Sequence, residues 1–335
     1  MTFSSFVQNI DFVSNEYIRY KRMEYELLDW VDIKKLRWND LCRNPNSMDI
    51  LEKNIERINW NWLSFNPNAI HILEKYPDKI NWENLSCNPN AIRLLERNPD
   101  LIYWNNLSTN PNAIELLEKN PEKINWYYLS HNPNCIKLLE KYPEKINWIY
   151  LSGNANAIHL LEKNPEKIVW NWLSDNSNGI DLLKKNLDKI DWYRLASNRN
   201  PEALKLLEEN HLQIWWSQLS KNPNAIEILE RNPSKINWTG LSFNSNAIHL
   251  LEKNPEKIDW YGLAKNKNAI HLLERNQEKY DLYMISRNPS IFKKVINYKR
   301  LSERMNIIRE ELMIKCMHPS RLERFLEMGG DIDDF

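Results

Sequence analysis

The chain has 335 residues, 42% of them hydrophobic, which is ample material for a core and excludes a disordered composition. Forty-five basic residues balance 45 acidic ones, so no net field draws the chain to nucleic acid or to an anionic membrane surface. No apolar run reaches the roughly 18 residues of a membrane-spanning helix, and the opening MTFSSFVQNIDF lacks the basic region and long apolar stretch of a signal peptide.

Residues 1–36 carry no repeat and read as a helical N-terminal cap, with Tyr17, Tyr20, Met23, Tyr25 and Leu28 available to cover the first repeat. From residue 37 a tryptophan recurs every 22 residues: Trp38, Trp60, Trp82, Trp104, Trp126, Trp148, Trp170 and Trp192. One step of 24 leads to Trp216, after which Trp238 and Trp260 resume the period and Leu282 fills the next slot. Self-similarity at a fixed short period defines a repeat architecture.

One unit, NWNWLSFNPNAIHILEKYPDKI from Asn59 to Ile80, shows how each repeat is built. Asn59 can cap a short helix whose Trp60 and Leu63 lie on one face. Asn66-Pro67 restarts the chain as a cap followed by proline at the first helical position. Ala69, Ile70 and Leu73 form the stripe of a second helix of about nine residues, which Lys75-Tyr76-Pro77 terminates. Helices below about 12 residues are marginal alone, so only stacking on neighbouring units can bury the Trp, Leu and Ile slots. The tryptophans are expected to form a buried ladder. In the 24-residue unit near 192–215 the two extra residues are expected in the loop Ser197–Asn200.

After Arg287 the pattern decays. Pro289 opens a shorter helix, and KCMHPSRLERFLEMGGDIDDF reads as a closing helix that begins near His318-Pro319 and ends at Gly329-Gly330. The expected fold is all-α: an α-solenoid of about twelve 22-residue two-helix repeats, residues 37–288, between helical caps at 1–36 and 289–335, all one elongated domain.

The phrase NPNAIELLEKNPEKINWYYLSHN, Asn110–Asn132, resembles a repeat family of giant viruses of amoebae and algae (mimivirus-like and chlorovirus-like). The flanks LLDWVDIKKLRW and HPSRLERFLEMGGDI resemble those proteins too, so the likeness runs from about Leu27 to Asp333. Local departures are Leu282 in a Trp slot and Asn154-Ala155 and Asn176-Ser177 in place of Asn-Pro. The resemblance implies a helical repeat protein of a large DNA virus, working in the host cytoplasm at the viral factory or carried in the virion. It brings no general activity and no catalytic residues.

Function is therefore expected where the repeats differ. The two residues after each ladder tryptophan vary most, and at least one of each pair should face outward. In four consecutive units they include Tyr127, Tyr128, Tyr150, Trp172, Tyr193 and Arg194. Spaced about 10 Å apart by helix packing, these residue types suit a protein-interface strip, although they could instead pack between neighbouring helices. His71, His159, His249 and His271 share one slot that elsewhere holds Arg93, Glu115, Lys137 and Asp181, as a solvated face does; one ion could not gather them. The four cysteines, Cys42, Cys87, Cys135 and Cys316, have no CxxC spacing and read as reduced thiols. No nucleotide-binding, hydrolase-elbow or metalloprotease motif occurs, and Glu74, Glu96, Glu118, Glu140 and Glu162 sit beside Lys or Arg as helix surface. The expectation is a non-enzymatic scaffold or adaptor without cofactor or metal, binding a viral or host protein partner. Helical-repeat scaffolds serve translation initiation and particle assembly alike. Single-stranded RNA read unit by unit is the alternative, disfavoured because Lys and Arg are interleaved with Glu and Asp.

Overall fold

Eleven of the twelve units fold, in a computed structural model of the chain, as two short α-helices followed by a turn of 3-10 helix, and the twelfth is built from the 3-10 turns Leu282–Ile285 and Pro289–Ile291. The structure describes residues 24–296 and, beyond them, 302, 305–311, 314 and 319–328. Residues 27–292, which hold all twelve repeats, form one unit of the structure, and the segments on either side form the other.

In the repeat Asn59–Ile80 the first helix is Trp60–Ser64, and the Asn59 side chain caps it by accepting from Trp62 N at 3.3 Å. A 3-10 turn at Pro67–Ala69 leads into the second helix, Ile70–Leu73, and Pro77–Lys79 forms another 3-10 turn. The second helix is thus shorter than its expected nine residues. The core side chains of the repeat are Leu63 from the first helix, Ala69 from the 3-10 turn, and Ile72 and Leu73 from the second helix, each 0% exposed. The ladder tryptophans differ from expectation: from Trp38 to Trp260 all are half-buried. The indole is too wide to fit wholly between neighbours, and a side chain later in the same unit covers part of it: a tyrosine beside Trp60, Trp126 and Trp260, and a basic residue over five others. Lys123 lies 4.7 Å from the Trp104 ring, Lys189 4.6 Å from Trp170 and Arg57 5.0 Å from Trp38. The leucine slots, not the indoles, are the sealed core.

What joins the units is polar. Asn66 Nδ2 donates to Cys42 O at 2.9 Å and to Asn44 O at 3.1 Å in the preceding repeat, while its Oδ1 accepts from Asn68 N at 3.0 Å. Asn88, Asn110, Asn132 and the equivalent asparagines up to Asn288 donate in the same way, and all are buried. A serine row runs beside them: Ser64 Oγ donates to Trp60 O at 2.8 Å and accepts from Asn81 N of the next unit at 3.0 Å. Buried polar groups are tolerated only when paired, and among the described residues Trp30 Nε1 alone is a buried side-chain polar atom without a partner.

The ladder has no end. Asn44, in the first repeat, donates to Ser286 O and Asn288 O of the twelfth, each at 3.1 Å, across 242 and 244 residues of sequence. Arg37 N donates to Ser286 Oγ at 2.8 Å, Asn46 Nδ2 to Pro289 O at 3.0 Å, and Leu28 N to Ile291 O at 2.9 Å. The first unit stands to the twelfth as every other unit stands to the one before it. The expectation of an elongated array is therefore corrected: the twelve units close into a circle. The small rotation between successive helical units sums to a full turn, so the end units seal each other.

Three further expectations change. The segment read as a helical N-terminal cap contains a strand, β1 (Glu24–Leu27), paired with β2 (Phe292–Val295) in a two-stranded sheet; Tyr17, Tyr20 and Met23 lie outside the described residues. The shorter helix expected at Pro289 is a 3-10 turn, Pro289–Ile291, whereas the closing helix occurs at Pro319–Glu327; Gly329-Gly330 lies outside the described residues. In the 24-residue unit, Asn198, Arg199 and Asn200 keep the usual register. Asn200 Nδ2 donates to Ser177 O and Asn224 Nδ2 to Arg199 O, both at 2.6 Å. The added pair is therefore Pro201-Glu202, not the loop 197–200. It forms the first turn of the helix Pro201–Glu209, capped by Asn200, whose Oδ1 accepts from Glu202 N at 2.9 Å. Proline at the first helical position has no N–H to satisfy, so the insertion lengthens a helix at little cost.

Candidate binding surface

The two variable residues after each ladder tryptophan take different places. The first points away from the array: Tyr127, Ile149 and Tyr193 are 48%, 46% and 45% exposed. The second tends to reach back to the preceding unit. Asn84 Nδ2 donates to Asn61 O at 2.9 Å, and Asn106 Nδ2 to Glu83 O at 3.0 Å. Within one pair, then, one residue is exposed and the other packs against the neighbouring unit.

Where these slots are aromatic they build a continuous row. Tyr128 stands edge-on to Tyr127 with ring centres 5.3 Å apart, and Tyr127 stands edge-on to Tyr150 of the next unit at 4.6 Å. Tyr150 Oη donates to Tyr127 Oη at 2.9 Å, which holds the Tyr150 hydroxyl above its ordinary pKa. Tyr150 then meets Trp172 at 5.6 Å, and the Arg194 guanidinium lies 4.8 Å from the Trp172 ring. Arg194 is anchored by Asp191 at 3.9 Å. The structure therefore brings together Tyr127, Tyr128, Tyr150, Trp172 and Arg194. Tyr193 does not join this row; like Tyr127 it reaches to the next unit, where it stands edge-on to Trp215 at 5.5 Å and accepts a hydrogen bond from Gln218 Nε2.

A second row borders the first, and it was not among the expected sites. It is the slot five residues after each ladder tryptophan. His131 in that slot packs 5.8 Å from Tyr150. Gly153 makes room for Trp172, since a Cβ there would lie 3.3 Å from Trp172 Cε3. The signal was present as variability in a third position: the slot reads Arg43, Phe65, Cys87, Thr109, His131, Gly153 and onward.

The remaining candidates behave as surface or core. His71, His159, His249 and His271 contact Glu52, Glu140, Glu230 and Glu252 of the preceding unit at 3.0, 2.9, 2.8 and 2.9 Å. No group of three or more metal-ligating side chains is found among the described residues. Cys42 and Cys135 are buried, and burial pushes the Cys135 thiol up to about 12. Cys42 takes a serine slot, where its Sγ accepts from Asn59 N at 3.3 Å.

Fold and surface together define a closed helical-repeat array with an aromatic strip on one arc. No family model, no curated protein and no solved structure matches the chain.

Proposed function

We propose that this chain is a non-enzymatic scaffold or adaptor that binds a protein segment along the strip from Tyr127 to Arg194. The observation that carries the reading is a run of touching rings in consecutive units, ended by an arginine, that keeps its outer members open to solvent. Tyr, Trp and Arg concentrate binding energy at interfaces, and a strip one helix-row wide suits an amphipathic helix or an extended peptide. Lysine is absent from the row and arginine occurs once, which favours a protein over a polyanion there. The likeness of the repeat phrase to giant-virus proteins supports a partner of viral or host origin, met in the host cytoplasm, at the viral factory or in the virion. A scaffold there would serve translation initiation or particle assembly. No helix among the described residues is long and apolar enough to cross a membrane.

The test is affinity capture from infected cells with mass spectrometry, comparing the native chain with Tyr150→Ala/Trp172→Ala. The variant is expected to lose the captured protein while its melting transition moves by only a few degrees, about the shift that 1 kcal/mol brings. Capture that survives the double substitution overturns the strip. Tyr127→Ala/Tyr128→Ala, at two exposed positions, keeps the test decisive should the first variant unfold.

A further inference from the structure

Closure gives residues far apart in sequence neighbouring slots. In the row five residues after each ladder position, the order across the seam is Lys265, Arg287, Arg43, and the slots on the far arc hold Thr109, His131, Gly153, Asp175 and Ser197. Within this row the basic residues are Lys221 and, beyond Phe243, the three consecutive slots Lys265, Arg287 and Arg43 at the seam, in a chain whose total charge is zero. The seam also contains a cleft of about 410 Å³ lined by Arg37, Asp40, Tyr261, Lys265, Tyr283 and Arg287, among others.

The cleft holds one carboxylate, Asp40, which offsets part of its positive charge, and Lys265 Nζ donates to Tyr261 Oη at 2.5 Å. Asp40 is 3.7 Å from Arg37, and no carboxylate lies within ion-pair distance of Lys265, Arg287 or Arg43 among the described residues. Burial, then repulsion from Arg287, lowers the pKa of Arg43, so the two guanidiniums are held close enough to feel each other. Each cation lies over one face of a partly exposed ring, which leaves the other face to a base. Lys265 is 3.8 Å from the Tyr261 ring, Arg37 4.4 Å from Tyr283 and Arg43 4.2 Å from Trp62. Those rings are 52%, 37% and 37% exposed.

We infer that the seam is a binding site for single-stranded nucleic acid, with phosphates on Lys265, Arg287 and Arg43 and bases against Tyr261, Tyr283 and Trp62. Phosphate recognition needs clustered cations that no carboxylate has already engaged, and sequence-tolerant strand binding adds aromatic faces along the charged track. Three units at about 10 Å spacing extend well beyond one phosphate, which favours a strand over a lone nucleotide. This site is separate from the aromatic strip.

The test is fluorescence anisotropy of the full chain with labelled single-stranded oligonucleotides of about twelve residues. Three phosphate contacts predict a log–log salt slope near about −2 between roughly 50 and 200 mM salt. Arg43→Gln/Arg287→Gln is expected to weaken binding at least ~10-fold and to bring the slope to about −0.7. Lys265→Ala, at an exposed residue, is expected to reduce the slope by about 0.7. Tyr150→Ala/Trp172→Ala is expected to bind the oligonucleotide like the native chain, which separates this site from the strip. Absence of binding, binding unchanged in the arginine double variant, or equal affinity for an acidic or phosphorylated peptide of the same length overturns the inference.

Discussion

Replacing Asn44 by alanine distinguishes a closed array from an open one. In the circle Asn44 makes three bonds, two buried ones from its Nδ2 to Ser286 O and Asn288 O and a partly buried one to its Oδ1 from Asn46 N. In an open array the twelfth unit would be elsewhere and the two carbonyl partners would not exist. Each bond contributes about 1 kcal/mol net, and a stripped group that stays dry costs more, so Asn44→Ala should lose about 3 kcal/mol. Asn110→Ala removes the corresponding bonds, to Ser86 O, Asn88 O and from Asn112 N, inside the array and should lose the same amount. Asn288→Ala is a control, since its partners Ala264 O and Asn266 O precede it whether or not the circle is closed. The assay is urea unfolding followed by tryptophan fluorescence, in which 3 kcal/mol moves the midpoint by about 1 M for a slope near 3 kcal/mol/M. If Asn44→Ala loses only about 1 kcal/mol, the share of its local bond from Asn46 N, while Asn110→Ala and Asn288→Ala lose about 3 kcal/mol, the array is open and the reasoning fails.

Three further outcomes are expected. Leu129→Ala, at a wholly buried leucine, should cost about 3–5 kcal/mol, and Trp126→Ala less than its size suggests because the indole is half-exposed; unfolding of both variants in one series checks the order. The Glu52 carboxyl is held down at about 2, first by its hydrogen bond with His71, from an ordinary 4.5. A lowered folded pKa means the contribution is complete above about 4.5 and disappears as pH falls through about 2. The stability gap between native chain and Glu52→Gln, about 1 kcal/mol or less after solvent screening, should therefore close over that window, and a gap independent of pH refutes the assignment. Deleting Pro201 and Glu202 should restore a 22-residue unit and leave the fold intact, whereas deleting Arg199 and Asn200 removes the Asn200 side-chain rung of the inter-unit ladder and should destabilise it; circular dichroism melts of the two deletions decide the placement.

The period alone determined the repeat count, the two-helix unit and the all-α class, because a helix of four or five residues can bury Leu63 or Leu73 only against a copy of itself. It also put Tyr127, Tyr128, Tyr150 and Trp172 in slots that must become neighbours, since identical units stack in identical register. The choice between buried and half-buried for the indoles was not legible, because it depends on the space between units and on which lysine reaches across. Nor was the role of Asn66 beyond capping: its two donors find carbonyls in another unit, a partner set that local sequence does not display. The placement of Pro201-Glu202 followed from the same ladder, since Asn200 rather than the helix stripe fixes the register. Closure was decided by tertiary structure alone. It is the sum of twelve small rotations, and no single repeat encodes the meeting of Asn44 with Asn288 or of Arg43 with Arg287.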